Sequence, residues 1–188
     1  MPTLLLLNGP PGAGKSTLAS RLVARSPLAL NLDIDIVRHQ LGGWLDQPTE
    51  AGLAARHLAS AMTNAHLSSG YDVVVPQFLA RIDFVEQLER LAATAGATFV
   101  EVELYLDRGE ALAAFQSRSV SSENRYHQDA QALLDRSDAV DPLGDMYDNF
   151  RSFMSTRPKV PRVDVIRGDV EATVRALLRV LDDVNITW

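Results

Sequence analysis

Residues 7–19 read LNGPPGAGKSTLA, packing three glycines and two prolines ahead of one lysine and two hydroxyls. Gly9, Gly14, Lys15 and Ser16 satisfy G-x-x-x-x-G-K-[ST], with an apolar run before them and a helical pattern after. The chemistry this spacing suits is phosphate binding. Glycines let successive backbone N–H groups turn inward around phosphate oxygens, and the following helix adds its positive N-terminal end. Residues Gly9, Pro10, Pro11, Gly12, Ala13, Gly14, Lys15, Ser16 and Thr17 are therefore expected to wrap the phosphates of a nucleotide. Lys15 reaches the β- and γ-phosphates, the Ser16 hydroxyl ligates Mg²⁺, and the two prolines stiffen the loop.

A second group of reactive side chains follows in LNLDIDIVRHQLGGW, where Asp33 and Asp35 stand two positions apart at the end of an apolar stretch. Open α/β sheets bind ligands beyond the carboxyl ends of their strands. There one acid can face a metal while the other faces an acceptor hydroxyl. Capping of the helix that starts with IVRHQL explains an Asp equally well, and capping does not exclude catalysis. A third group, Arg118 and Arg125 in FQSRSVSSENRYH, surrounds a polar, serine-rich stretch. Cations there suit phosphoryl transfer, which depends on positioning and electrostatics.

Elements must hold these groups in place. TLLLLN at 3–8 suits a strand buried on both faces, and KSTLASRLVARS suits a helix through Leu18, Leu22 and Val23. Further strands are expected at 27–35, 71–78, 97–107 and 161–169. Helices are expected from IVRHQLGG, from about Thr49 to Ser69, over DFVEQLERLAATAG, over RGEALAAFQSRS and over VEATVRALLRVLDDV. Residues 129–157 read as one or two helices interrupted at DAVDPLG. Strands alternating with helices mean a parallel sheet covered on both faces, an α/β protein forming one domain over 1–188.

Composition narrows the classes of function. Of 188 residues, 46% are hydrophobic, enough for one sizeable core, and the net charge is −6. That balance disfavours a nucleic acid or anionic lipid as general partner. The absence of cysteine removes disulfides and thiolate metal sites. Four leucines near the N-terminus make neither a signal peptide nor a membrane span, so a cytoplasmic location is expected and no membrane. No N-K-x-D occurs for reading guanine, and the third strand ends in Pro76 and Gln77 where motor ATPases carry an acid pair.

The phosphate loop, the D-x-D-x-x-R of DIDIVR and an arginine-bearing stretch after the fourth strand together resemble the small P-loop kinases. That group includes shikimate, gluconate, adenylylsulfate and polynucleotide 5′-kinases, zeta-toxin kinases and chloramphenicol phosphotransferases. DIDIVRHQL is similar to the D-G-D-N-V-R-H-G-L of adenylylsulfate kinases, but their D-P-K-G-L-Y and F-T-G-I-D-S-P-Y-E segments are missing. The resemblance implies a P-loop NTPase fold of three α/β/α layers, a five-stranded parallel sheet in the order 2-3-1-4-5, and a short lid at about 118–128. It also implies an ATP- and Mg²⁺-dependent transfer to a hydroxyl of a small molecule such as a sugar or an antibiotic. Asp33 would then lie near Mg²⁺, Asp35 would be the general base, and Arg38 would hold an anionic or polar part of the acceptor. Arg118 and Arg125 would follow the moving charge, and Gly168 in IRGD would lie beside the adenine, where a plain turn explains the same residues. Trp44, Gln77, Phe78 and Arg81 are the candidates for lining the acceptor pocket. A nucleoside or nucleotide kinase, or an ATP-binding regulatory module that hydrolyses poorly, are the alternatives. Acceptor identity, ATP over GTP and oligomeric state stay open at this level.

Overall fold

The computed structural model describes the backbone of residues 1–121 and 139–188, with side chains for 1–117 and 139–188. Five parallel strands lie in the order β2-β3-β1-β4-β5. They are β1 (Thr3–Asn8), β2 (Leu30–Asn31), β3 (Val73–Gln77), β4 (Thr98–Tyr105) and β5 (Arg162–Asp164). Helices α1 (Lys15–Val23), α2 (Ile34–His39), α3 (Pro48–Ser68), α4 (Ile82–Thr94), α5 (Arg108–Ser121), α6 (Pro142–Ser155) and α7 (Val170–Asp183) connect them.

The leucine run becomes the central strand because both its faces are covered. Leu4 and Leu6 join Val73 and Val75 in a core closed by α2, α3 and α4. Leu5 and Leu7 join Val74, Val102 and Leu104 in a second core closed by α1 and α7. All four leucines have no exposed surface. A strand that must bury both faces cannot alternate with polar residues, and this one does not. The expected α/β/α sandwich and strand order are thus present.

Two strands are much shorter than the sequence predicts. The strand expected at 27–35 pairs only Leu30 and Asn31 with Val73 and Val74. The strand expected at 161–169 pairs only over Arg162–Asp164. Both are edge strands, whose extent is decided by the neighbour they pair with rather than by their own pattern. The brevity of β2 also explains Pro76. Beyond Asn31, β3 has no outer partner among the described residues, so the missing N–H of Pro76 interrupts no ladder.

Of the stretch 129–157, the described part holds one helix, which starts inside DAVDPLG at Pro142; residues 129–138 lie outside the described residues. Pro142 occupies the first turn of α6, and the Asp141 carboxylate accepts from the Gly144 N–H at 3.0 Å. Proline is similarly placed at the start of α3, with Pro48 in its first turn. Among the described residues no helix is long and apolar enough to cross a membrane.

Candidate active site

The phosphate loop joins β1 to α1 at the carboxyl edge of the sheet. Gly14 precedes α1 in a left-handed conformation, φ 77° and ψ 18°, which an L side chain rarely adopts. Gly12 is left-handed as well, φ 89°, and a Cβ there would stand 2.5 Å from the Ala111 carbonyl oxygen of α5. Lys15 Nζ lies across the loop, donating to the carbonyls of Gly9 at 2.9 Å and Pro10 at 3.0 Å. Its charge is thereby held against the first turn of the loop.

Next to it, the start of α2 brings the second acidic group to the loop. The Asp33 carboxylate accepts from the Ser16 hydroxyl at 2.8 Å with one oxygen and from the Asp35 N–H at 3.0 Å with the other. Asp33 is therefore both the N-cap of α2 and the neighbour of the loop serine. Burial, the strongest influence, and then the Asp35 charge push its carboxyl above the usual carboxylate range. The Ser16 hydroxyl, the Asp35 N–H and the Lys15 ammonium oppose that shift. Ser16 and Asp33 together offer hard oxygen donors of the kind Mg²⁺ takes alongside waters and phosphates.

Asp35 sits in the first turn of α2 with half its side chain exposed, in an ion pair with Arg38 at 3.0 Å. Arg38 stacks over Trp44, 5.0 Å from the ring centroid. Trp44 is only 8% exposed and also packs against His39, with ring centroids 4.3 Å apart. The tryptophan thus supports the Asp35–Arg38 pair from behind. Arg38 Nε is buried with no hydrogen-bond partner among the described residues.

Two cavities stand out among the described residues. One of about 210 Å³ is bounded by the loop (Gly12, Ala13, Gly14, Thr17), by Leu106 and Ala114, and by the stretch from Val165 to Gly168. Gly168 therefore faces the space beside the phosphate loop. The other, about 600 Å³, is a cleft between the turn after β3 and α6. Phe78, Ala80 and Arg81 form one wall, and Met146, Asn149, Ser152, Phe153 and Thr156 form the other. Phe78 and Arg81 meet there, whereas Gln77 and Trp44 do not line it. The Gln77 amide oxygen is buried without a hydrogen-bond partner among the described residues. Arg118 lies in α5 with its side chain outside the described residues, and Arg125 and most of the stretch 118–128 lie outside them altogether.

The α6 wall was missed by reading the sequence. A signal was present in TFVEVELY, where Glu101 and Glu103 alternate with apolar residues inside a strand. Both are buried, at 5% and 6% exposure, and each pairs with an arginine of the α6 region: Glu101 with Arg157 and Glu103 with Arg151. Acids in a covered strand require such partners.

Comparison with known proteins agrees with the fold. A candidate kinase from Chloroflexus aurantiacus superposes with a TM-score of 0.66 at 19% identity, covering 97% of each chain. A gluconokinase from Sinorhizobium meliloti gives a TM-score of 0.62 at 14% identity, covering 97% of this chain and 93% of the other. At these identities the likeness is one of fold. No curated protein matches the sequence. A family model described as an AAA domain matches residues 4–143, a span holding the phosphate loop, both aspartates and the turn after β3. With most of its length matched, this P-loop kinase-like chain belongs to the AAA domain family.

Proposed function

We propose that this chain is a kinase that uses ATP and Mg²⁺ to phosphorylate a hydroxyl of a small molecule. The observation that carries the reading is the 2.8 Å contact between Ser16 of the phosphate loop and Asp33 at the start of α2. It joins a phosphate cradle to a carboxylate two residues before a second, solvent-reachable carboxylate, Asp35. A simple nucleotide-binding turn needs only the first of these parts. The kinase designations of the two fold neighbours support the same reading.

Bound ATP and Mg²⁺ would supply the transferable phosphoryl group and neutralise the charge that develops on it. The chain's own residues do the rest. Loop amides and Lys15 hold the phosphates, and Ser16 and Asp33 hold the metal. The 210 Å³ cavity beside Gly168 would receive the base and ribose. Asp35, aimed by Arg38, receives the proton of the acceptor hydroxyl. The acceptor enters from the 600 Å³ cleft, where Arg81 meets its polar or anionic part. Arg118 and Arg125 are the cations assigned to the transferring group.

The test is an assay with γ-labelled ATP, Mg²⁺ and pooled hydroxyl-bearing metabolites, nucleosides and antibiotics. Label in a new small molecule supports the reading and identifies the acceptor class; label in a nucleoside alone selects the nucleoside-kinase alternative. Release of inorganic phosphate that no pool alters would instead favour a regulatory module. Asp35→Asn should bind ATP as the wild type does and transfer about a hundredfold more slowly, as for loss of a general base. Normal turnover in that variant would move the base to another residue.

A further inference from the structure

We propose that a buried hydrogen-bond chain centred on Asn8 sets the width of the acceptor cleft and its placement relative to the phosphate loop. The proposal rests on the kinase reading above, in which that cleft receives the acceptor. Asn8 is the last residue of β1, has no exposed surface, and immediately precedes Gly9. Its amide oxygen accepts from the Leu79 N–H at 2.9 Å, and its amide nitrogen donates to the Leu79 carbonyl at 3.1 Å. The second amide hydrogen goes to Glu101 Oε1 at 2.9 Å. Both donors and the acceptor of the side chain are thereby used.

Each end of this chain reaches a different wall. Leu79 lies between Phe78 and Ala80, which line one side of the cleft. Glu101 accepts with its other oxygen from Arg157, whose guanidinium stacks 5.5 Å from the Phe153 ring centroid. Phe153 and Thr156 line the opposite side. A second pin, Glu103 to Arg151, ties α6 to the same face of β4. The path Leu79–Asn8–Glu101–Arg157 therefore links wall to wall and is rooted one residue before the phosphate loop.

A buried ion pair is weak evidence for stability, since apolar residues of similar volume often serve as well. Its directional bonds are better suited to fixing distances. Apolar side chains at 8 and 101 would fill the space yet leave both backbone groups of Leu79 unpaired and the wall free to shift. Asn8, Glu101 and Arg157 line neither cavity. They are positioning residues, and their effect falls on the acceptor rather than on the nucleotide.

Glu101→Gln keeps the volume and the bond to Asn8 while removing the charge that holds Arg157; Arg157→Lys is the companion variant if Glu101→Gln fails to fold. Hydrogen exchange is measured without acceptor over 78–84 and 150–157, together with titration of Mg²⁺ and a non-hydrolysable ATP analogue. Exchange should quicken over 150–157, while 78–84, still bonded to Asn8, keeps its rate and the analogue's Kd stays within about twofold of wild type. With the acceptor found in the labelling assay, its KM should rise by about tenfold or more while the ATP KM is retained. Unchanged exchange over 150–157 would overturn the proposal, as would analogue and acceptor affinity weakening together. A wild type that binds the analogue yet phosphorylates nothing sinks the kinase reading by itself, because the exchange result is obtained without any acceptor.

Discussion

Asp33 carries three jobs on one side chain: cap of α2, partner of Ser16 and, in the proposed function, neighbour of Mg²⁺. Its carboxyl is held above the ordinary 3.8, first by burial and then by Asp35. The folded state thus binds this proton more tightly than the unfolded chain does. Stability from that proton is fully present below 3.8 and is lost as pH rises through the elevated folded value. At neutral pH the ionised group therefore opposes folding. Asp33→Asn retains an oxygen for the cap and removes the charge. Its melting temperature in the absence of ligand should equal or exceed that of wild type, by roughly 2–4 °C for each kcal/mol gained. The same variant should lose Mg²⁺-dependent ATP affinity by about tenfold or more, a trade of function for stability. Calorimetry with and without Mg²⁺ and ATP reads both effects. A variant that melts lower yet keeps its affinity would remove Asp33 from the metal site.

Between elements, the start of α6 is tied down by charge as well as by capping. Arg108 at the start of α5 reaches Asp141 at 3.0 Å and Asp148 at 3.2 Å. The Gly144 N–H and Arg108 hold the Asp141 carboxyl below the usual carboxylate range. Its contribution is present above 3.8 and disappears as pH falls through the lower folded value. Asp141→Ala should quicken amide exchange over 142–147 at neutral pH and lower the melting temperature slightly. The difference from wild type should shrink as the solution is acidified through the carboxylate range. A difference independent of pH would mean that packing of Leu143 and Tyr147, not the cap, fixes this end. At the other end of the chain, Trp188 donates its indole N–H to the Leu22 carbonyl at 2.8 Å, closing the last turn of α1. Trp188→Ala should lower stability by about 1–2 kcal/mol, measured by denaturant unfolding, from the lost bond and apolar cover.

At the scale of the molecule, the carboxyl edge of the sheet has a division of labour. The phosphate loop leaves the central strand, with one cavity bounded by Gly168 and the other by Phe78 and Arg81. Ligands of open α/β sheets bind at this edge. In the proposed function, nucleotide and acceptor approach from these two sides. Because the nucleotide would bind the folded chain alone, Mg²⁺ and ATP at a hundred times Kd should stabilise it by about 2.7 kcal/mol. Chelating the metal should remove most of that gain in a thermal melt. Stabilisation of the same size without metal would separate Ser16 and Asp33 from nucleotide binding.

The phosphate loop was legible in the sequence because its function is local: a few consecutive backbone conformations and one lysine suffice, and Gly12, Gly14 and Lys15 declare them. The central strand and the long helices were legible for a related reason. A continuous leucine run, or apolar residues such as Phe84, Val85, Leu88 and Ala92 in α4, state their own burial. Edge strands were overestimated because pairing, not pattern, sets their length, whereas the helix start inside DAVDPLG rests on local signals, the Asp141 cap and Pro142 in the first turn. Trp44 and Arg81 were alike candidates for lining the acceptor pocket. Packing alone put the first behind Arg38 and the second on the cleft. The Asn8–Glu101–Arg157 chain joins residues 93 and 56 positions apart, distances over which no local pattern operates. Local stereochemistry encodes the cradle for phosphate, whereas the cleft beside it exists only where distant side chains meet across the folded sheet.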